Sequence, residues 1–338
     1  MPERVSGEPL RQRRIRIAVT GECMVELLPV RSEGGEALFR QGFSGDTLNT
    51  AVYLSRLGGL ETSYLSAVGN DPLSESMLDF WQGEGVDCSL VRRIPGASPG
   101  LYMIRNDRHG ERSFFYWRSS SAARFCYSGS GAQALLDRLE TFDCIYLSGI
   151  SLAVFQEDGR NRLLERLESL AGNISVCFDA NFRPRLWGAN RAEAVAAAMP
   201  WYRRMLPITS MLFLSAEEID AFGAEGEMHS PRSGMLGLVS HMKPGAEAVM
   251  KDGPRPCLIW DGTCLLQSMP CKGKNVVDAT AAGDSFAAAY LHARLQGLSP
   301  ERAARRGHRL AAAVIEVPGA IIPADRMPHM EDADDADE

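Results

Sequence analysis

Short apolar runs of strand length alternate with longer stretches of helical spacing along most of this chain. That alternation restricts the fold more than any other feature. "IRIAVTGECMVEL" reads as a first strand and its continuation; "TSYLSAVG", "FDCIYLSGI", "NISVCFDAN", "MLFLSAEE", "EAVMKDG" and "CLIWDGTCLLQSMP" read as further strands. Between them, Leu48, Val52, Leu54 and Leu57 fall at helical spacing in "TLNTAVYLSRLG", with Gly58-Gly59 as the stop. "PLSESMLDFWQGEG" opens a helix with Pro72 in its first turn, and "NRLLERLESLAG" and "RAEAVAAAMPWYRRML" are helical too. Strands separated by helices pair in parallel, so the pattern predicts an α/β fold: a mainly parallel sheet with helices on both faces.

One segment breaks the alternation. "SPGLYMIRNDRHGERSFFYWRSS" reads as two alternating strands joined by a turn at Asp107-Arg108-His109-Gly110, with no helix between them. These strands are antiparallel and predict a small sheet projecting from the main one as a lid, with strands from about 22–42 and 99–120. There is no internal repeat and no long Pro/Gly/Ser linker. The expected organisation is a basic arm over 1–14, one domain over 15–328, and an acidic disordered tail over 329–338.

Composition excludes several classes. Hydrophobic residues make up 45% and charged residues 23%, as in an ordinary globular protein that buries a core without staples. Six acids in "EDADDADE" account for most of the net charge of −7, so the body is nearly neutral. Arg11, Arg13, Arg14 and Arg16 read as a solvated arm, because no aromatic residues interleave with them as nucleic-acid binding would need. No run approaches the ~20 apolar residues of a membrane span. Glu22 and Glu26 interrupt the first apolar run, which is not a signal peptide. The eight cysteines contain no CxxC pair, and Cys257, Cys264 and Cys271 stand at no recognised ligand spacing. They read as reduced thiols in a cytoplasm.

The chemistry concentrates in "VVDATAAGDSFAAAYLHARLQG", Val276 to Gly297. A helix start leaves backbone N–H groups without partners and carries partial positive charge, which makes it an anion site. Ala281, Ala282 and Gly283 would let an anion approach the backbone closely. Asp284, directly behind them, could be a mere N-cap. A cap needs no preceding triplet of tiny residues, however, and no approach through Asp278 and Thr280. An anion hole beside a carboxylate suits phosphoryl transfer: Asp284 takes a hydroxyl proton while the amides hold the developing charge.

"DATAAGDSFAAAY" resembles the C-terminal signature of the ribokinase/PfkB sugar kinases, usually DTxGAGD, with Ala281 in place of its first glycine. The resemblance extends over roughly 15–328 through "GECMVEL", "GFSGDTLNTAVYLSRLG", "PGLYMIRNDRHGERSFFYWR", "YLSGISLA", "FDANFRPRLW" and "GAIIP", in that order. It implies a ribokinase-like three-layer sandwich using ATP and Mg2+, with a monovalent cation possible near Asp278. It also implies homo-oligomer formation through the lid. Within the family the likeness is to members that phosphorylate the 6-hydroxyl of 2-keto-3-deoxy-D-gluconate. The galactonate epimer, fructose and ribose remain as alternative substrates.

The family's motifs carry over residue by residue. Gly45, Asp46 and Asn49 fall at the GGD element, with Ser44 for its first glycine, and are implied to meet the sugar; Asp46 could equally cap the helix. Tyr102, Tyr116 and Arg118 fall on the lid strands, where Arg118 is implied to bind the substrate carboxylate. Aromatic residues there could instead be sheet packing. Asn181 and Arg183 follow a strand's C-terminal end, where open α/β sheets bind ligands, and Arg183 is implied to reach between substrate and ATP. In "LSAEE" the family has Asn-x-x-Glu; Ser215 replaces the Asn at the ATP site, and Glu218 is implied to hold Mg2+ through water. Lys251 and Gly253 match the turn that covers ATP, and His308 aligns with a position flanking adenine.

Other functions fit less well. "GSGAQA" matches a dinucleotide pattern, but no apolar strand leads into it, and it reads as a loop before the helix "AQALLDRLETF". A nicotinamide dehydrogenase would also need a glycine fingerprint after the first strand, where "AVTGECMVE" has one glycine. There is no GxxxxGK[ST], HExxH or GxSxG. A sugar-acid sensor without catalysis would not need Asp284 behind an intact small-residue triplet.

Overall fold

The computed structural model describes residues 13–30, 38–106, 112–222, 230–271 and 275–330. Strands and helices are numbered in chain order. The main sheet has eight strands: β1 (Ile15–Thr20), β4 (Leu60–Leu65), β9 (Cys144–Ser148), β10 (Ser175–Asp179), β11 (Met211–Ser215), β12 (Glu247–Lys251), β13 (Cys257–Trp260) and β14 (Leu265–Ser268). Their order is β14-β13-β12-β11-β10-β9-β1-β4. From β4 to β12 every pairing is parallel; β13 and β14 add an antiparallel edge. "CLIWDGTCLLQSMP", expected as one strand, is this hairpin, because Asp261 accepts from the amides of Thr263 and Cys264 and turns the chain.

Side-chain alternation along the parallel strands builds two cores. Ile17, Val19, Cys144, Tyr146, Cys177, Phe213 and Val249 face one way. Against them pack α1 (Asp46–Leu57), α2 (Pro72–Gly83), α9 (Ala282–Leu295) and α10 (Pro300–Ile315). Ala18, Ile145, Leu147, Val176, Phe178, Leu212, Leu214 and Met250 face the other way. They meet α3 (Ala132–Arg138), α4 (Gly149–Val154), α5 (Glu157–Leu170), α6 (Arg191–Met205), α7 (Ala216–Phe222) and α8 (Pro231–Val239). Sheet residues buried on both faces explain why the strands read as continuous apolar runs. The result is the expected three-layer α/β/α arrangement.

The lid is a four-stranded sheet in the order β3-β2-β7-β8, from β2 (Met24–Val30), β3 (Leu38–Ser44), β7 (Gly100–Asn106) and β8 (Arg112–Trp117). The chain leaves the main sheet after Thr20 and enters the lid at Met24, so the continuation of the first strand belongs to a different sheet. The turn expected at 107–110 lies outside the described residues. A two-stranded pair, β5 (Ala67–Val68) with β6 (Arg92–Arg93), completes the strands among the described residues. Here too, no helix is long and apolar enough to cross a membrane.

Candidate active site

Four cavities of similar size, about 460, 550, 470 and 490 Å³, open on the surface, so chemistry rather than volume picks the site. The first is walled mostly by apolar side chains of α6, α7 and α8, and the second lies between the lid, α2 and the 317–323 loop. The third lies at the C-terminal ends of the parallel strands, where an open α/β sheet binds ligands. Asp179, Ser215 and Lys251 are the last residues of β10, β11 and β12 and stand side by side in its wall. The first turn of α9 closes the opposite side with Ala281, Ala282, Gly283 and Asp284; the lid adds Met24, Tyr102, Phe114 and Tyr116.

Asp284 does not cap its helix. The N-cap is Ala281, in a left-handed conformation (φ 59°), and no side chain caps the α9 start. An L-residue there is strained, which accounts for glycine at this position in the motif. The Ala282 amide turns back onto the Ala279 carbonyl at 3.3 Å, so the helix's anion-binding capacity falls on the amides that follow. Asn49 Nδ2 donates to Asp284 Oδ2 at 2.9 Å, and Ser44 Oγ on Asn49 Oδ1 at 3.3 Å fixes that amide's orientation. Burial, reinforced by the nearby Asp46 and Asp179 charges, pushes the Asp284 carboxyl up to about 7; Asn49 and Lys251 oppose the rise.

Asp46 is likewise no cap. Gly45 holds the N-cap position of α1, and a Cβ there would stand 2.2 Å from the Glu22 carbonyl oxygen. The close approach that requires glycine is to this strand connection. Asp46 Oδ2 instead accepts from Asn181 Nδ2 at 2.8 Å across the cleft. Its carboxyl is raised, first by burial and also by Asp179, against the hydrogen bond from Ser148. Asn181 itself sits at φ 32°, a left-handed turn that aims its amide inward.

Gly45, Asp46, Asn49, Tyr102, Tyr116, Asn181, Arg183, Ser215, Glu218, Lys251, Gly253 and Asp284 all line this one cleft, as the motif positions imply. Two motif positions, Arg118 and His308, lie outside the lining. Arg118 is not among the lining residues: its guanidinium is paired with Glu22, which is 2% exposed and also accepts from Ser121. This ion pair joins the lid to the connection after β1. His308 is also outside the lining. It packs edge-on against Phe286 at 5.0 Å, and burial lowers its imidazole to about 4, the state of a neutral core histidine. Glu218, implied to meet magnesium through water, has both oxygens on backbone amides: Phe182 N at 2.5 Å and Ser215 N at 2.6 Å. It ties the ends of β10 and β11 together. Among the described residues no cluster of three metal-ligating side chains occurs.

Two residues were missed by sequence reasoning. Asp179 is 2% exposed and accepts from Lys251 Nζ at 2.7 Å. Its signal was available, a carboxylate ending a strand just ahead of Asn181. Glu26 accepts the Tyr102 hydroxyl proton and so fixes that ring in the lid. The sequence showed Glu26 only as an interruption in an apolar run.

The comparisons with known proteins agree with this geometry. The model of the pfkB family of carbohydrate kinases matches residues 14–327. The chain is 42% identical over 320 residues to a 2-dehydro-3-deoxygluconokinase of Escherichia coli K12, covering 93% of this chain and 99% of the relative. It is 43% identical over 319 residues to the 2-dehydro-3-deoxygluconokinase of Dickeya dadantii, covering 92% and 98%. Among solved structures, a 2-dehydro-3-deoxygluconokinase of Thermotoga maritima superposes with a TM-score of 0.76 at 18% identity, covering 96% of this chain and 98% of that one. At that identity the superposition speaks for the fold alone.

Proposed function

The chain belongs to the pfkB family of carbohydrate kinases, and from that premise we propose that it transfers the γ-phosphoryl group of ATP to the 6-hydroxyl of 2-keto-3-deoxy-D-gluconate. The identity of 42–43% to relatives bearing that activity's name supports the substrate. The observation that carries the mechanism is the carboxylate of Asp284 in the first turn of α9, free of any capping role and oriented by Asn49. In this reading the hydroxyl oxygen attacks phosphorus, its proton passes to Asp284, and ADP leaves with the bonding pair of the broken P–O bond. The first-turn amides of α9 hold the charge that gathers on the transferring group. A carboxyl poised near neutral pH suits a general base.

Asp46 and Asn49 would take sugar hydroxyls, and Tyr116, 52% exposed at the cleft mouth, would close over them. Arg183 is the guanidinium that lines the cleft, so we assign the substrate carboxylate to it rather than to Arg118. Lys251, Gly253 and Ser215 would flank the ATP phosphates. Magnesium bound to those phosphates would neutralise them, and Glu218 could meet it only through water, because each of its oxygens already accepts an amide. A monovalent cation would find the buried Asp278 carboxylate, which also orders Thr280 and Gly319 beside the anion-hole turn. The exposed Phe114, Phe115 and Trp117 of β8 favour pairing of two copies through the lid. ATP as co-substrate supports a cytoplasmic location.

ADP release measured over 2-keto-3-deoxygluconate, its galactonate epimer, fructose and ribose tests the assignment. A kcat/KM for fructose or ribose equal to that for the keto acid would overturn it.

A further inference from the structure

We propose that Asp179 is a positioning residue for phosphoryl transfer: it holds the Lys251 ammonium over the first turn of α9, where that charge meets the group in transfer. The inference rests on the kinase reading above and goes beyond it by giving the ion pair a task.

The geometry comes from the sheet. Asp179 and Lys251 end β10 and β12, with β11 between them, so their side chains converge above Ser215 at the strands' C-terminal edge. Lys251 Nζ donates to Asp179 Oδ2 at 2.7 Å, and the Tyr146 hydroxyl donates to the same oxygen at 3.2 Å. The ammonium also stands 5.6 Å from the centre of the Phe213 ring. A Cβ added at Gly283 would lie 3.5 Å from Nζ, so the charge is one van der Waals contact from the turn whose amides form the anion hole.

Charge balance gives the pair a reason. The cleft lining carries four carboxylates, Asp46, Asp179, Glu218 and Asp284, against two cations, Arg183 and Lys251. A transferring phosphoryl group adds more negative charge to that site. An ammonium already in place costs no reorganisation at the moment of reaction. Folding does not explain the pair: a buried ion pair stabilises little compared with apolar residues of the same volume. Asp179 does a second thing. Without it, Lys251 would find Asp284 as its partner, which would keep the base ionised but blocked. Held by Asp179, Lys251 leaves the Asp284 carboxylate open to the substrate hydroxyl. In the transfer the O–P bond to substrate forms, the P–O bond to ADP breaks, and the hydroxyl proton goes to Asp284. Lys251 donates hydrogen bonds only and takes no part in the proton transfer.

The test uses Lys251→Gln, Lys251→Arg and Asp179→Asn in the full-length enzyme, with kcat, both Michaelis constants and the pH profile of kcat/KM as readouts. Loss of one such charge-stabilising donor reduces turnover on the order of 10²–10³-fold. Lys251→Gln should lose turnover in that range with a smaller change in the ATP Michaelis constant, and Lys251→Arg should recover part of it. The titratable groups that face Asp284 are Asp46 and Tyr53 from α1, Asp179 from β10, Lys251 from β12 and Tyr146 from β9. Removing the Lys251 charge should move the acidic limb to higher pH, and removing the Asp179 charge should move it to lower pH. Opposite shifts of the limb follow from two opposite charges beside Asp284; a loss of turnover larger than the change in the ATP Michaelis constant, partly recovered by Lys251→Arg, is what a purely structural salt bridge would not give. Turnover of Lys251→Gln within threefold of the parent, or a limb that moves the same way in both variants, would overturn the proposal. If Asp179→Asn does not fold, the two lysine variants decide it alone. Asp284→Asn, run alongside, separates the premises: an active Asp284→Asn enzyme removes the base, whereas an unaffected Lys251→Gln enzyme with a normal limb removes only this inference.

Discussion

Replacing Glu218 by glutamine distinguishes an amide clamp from a magnesium residue. Both carboxylate oxygens accept a backbone N–H, from Phe182 at 2.5 Å and Ser215 at 2.6 Å, at a site 6% exposed. Burial and the Asp179 charge raise this carboxyl, but the two amide contacts need acceptors on both oxygens and so favour the ionised form. Glutamine keeps one acceptor and turns an NH2 group toward the other amide. The change removes one charge-assisted hydrogen bond, about 1.5–3 kcal/mol, and leaves a buried N–H facing a donor, about 1–3 kcal/mol. A loss of about 2.5–6 kcal/mol is therefore expected. Unfolding entropy of about 2.1 cal/mol/K per residue over the 338 residues makes that a fall in Tm of about 4–8 °C. Calorimetry without nucleotide or Mg2+ measures it. Turnover should fall as well, because Asp179, Asn181 and Ser215 sit on the strand ends that Glu218 joins, and added Mg2+ should not restore it. A Glu218→Gln enzyme that melts within 1 °C of the parent, and whose activity recovers as Mg2+ rises, would refute the clamp and return Glu218 to the metal.

Asp284→Asn should lower turnover on the order of 10²–10⁴-fold, and kcat/KM of the parent should fall about tenfold per pH unit below the base's pKa of about 7. The same raised carboxyl binds its proton more tightly folded than unfolded, so the stability it contributes is full below the ordinary carboxylate range and is lost as pH rises through about 7; calorimetry across pH on parent and Asp284→Asn checks the sign. Ala281→Gly should relieve a left-handed alanine costing about 1–2 kcal/mol, offset by about 0.4–1 kcal/mol of added freedom in the unfolded chain; urea unfolding should show a net gain of up to about 1.6 kcal/mol, and a loss would mean that the methyl packs. Arg118→Ala should strand the buried Glu22 and cost about 3–5 kcal/mol, partly recovered in Arg118→Ala/Glu22→Gln. A raised Michaelis constant for acidic substrates alone, with unchanged stability, would restore Arg118 to the substrate.

The sequence by itself determined the layers, the lid and the address of the chemistry. Strand and helix periodicity are properties of neighbouring residues, so β1, β9, β10, β11 and β12 and the helices between them were readable before any pairing was known. The small triplet ahead of Asp284 was readable for the same reason, since a helix start is local. Tertiary structure decided what each side chain does there. Asp46 and Asp284 could each have been a cap; their partners, Asn181 and Asn49, stand 135 and 235 residues away in sequence. The Asp179–Lys251 pair spans 72 residues and exists only because β10, β11 and β12 lie side by side. Arg118 carries the motif, but its ion-pair partner lies across the lid connection at Glu22, where local spacing does not show it. Glu22 and Glu26 broke an apolar run and signalled nothing more, since a buried acid is recognised by its partner. Local spacing marks most of the residues that reach the cleft; whether a charged group there is free for a ligand depends on distant groups that only the packed sheet brings within hydrogen-bonding range.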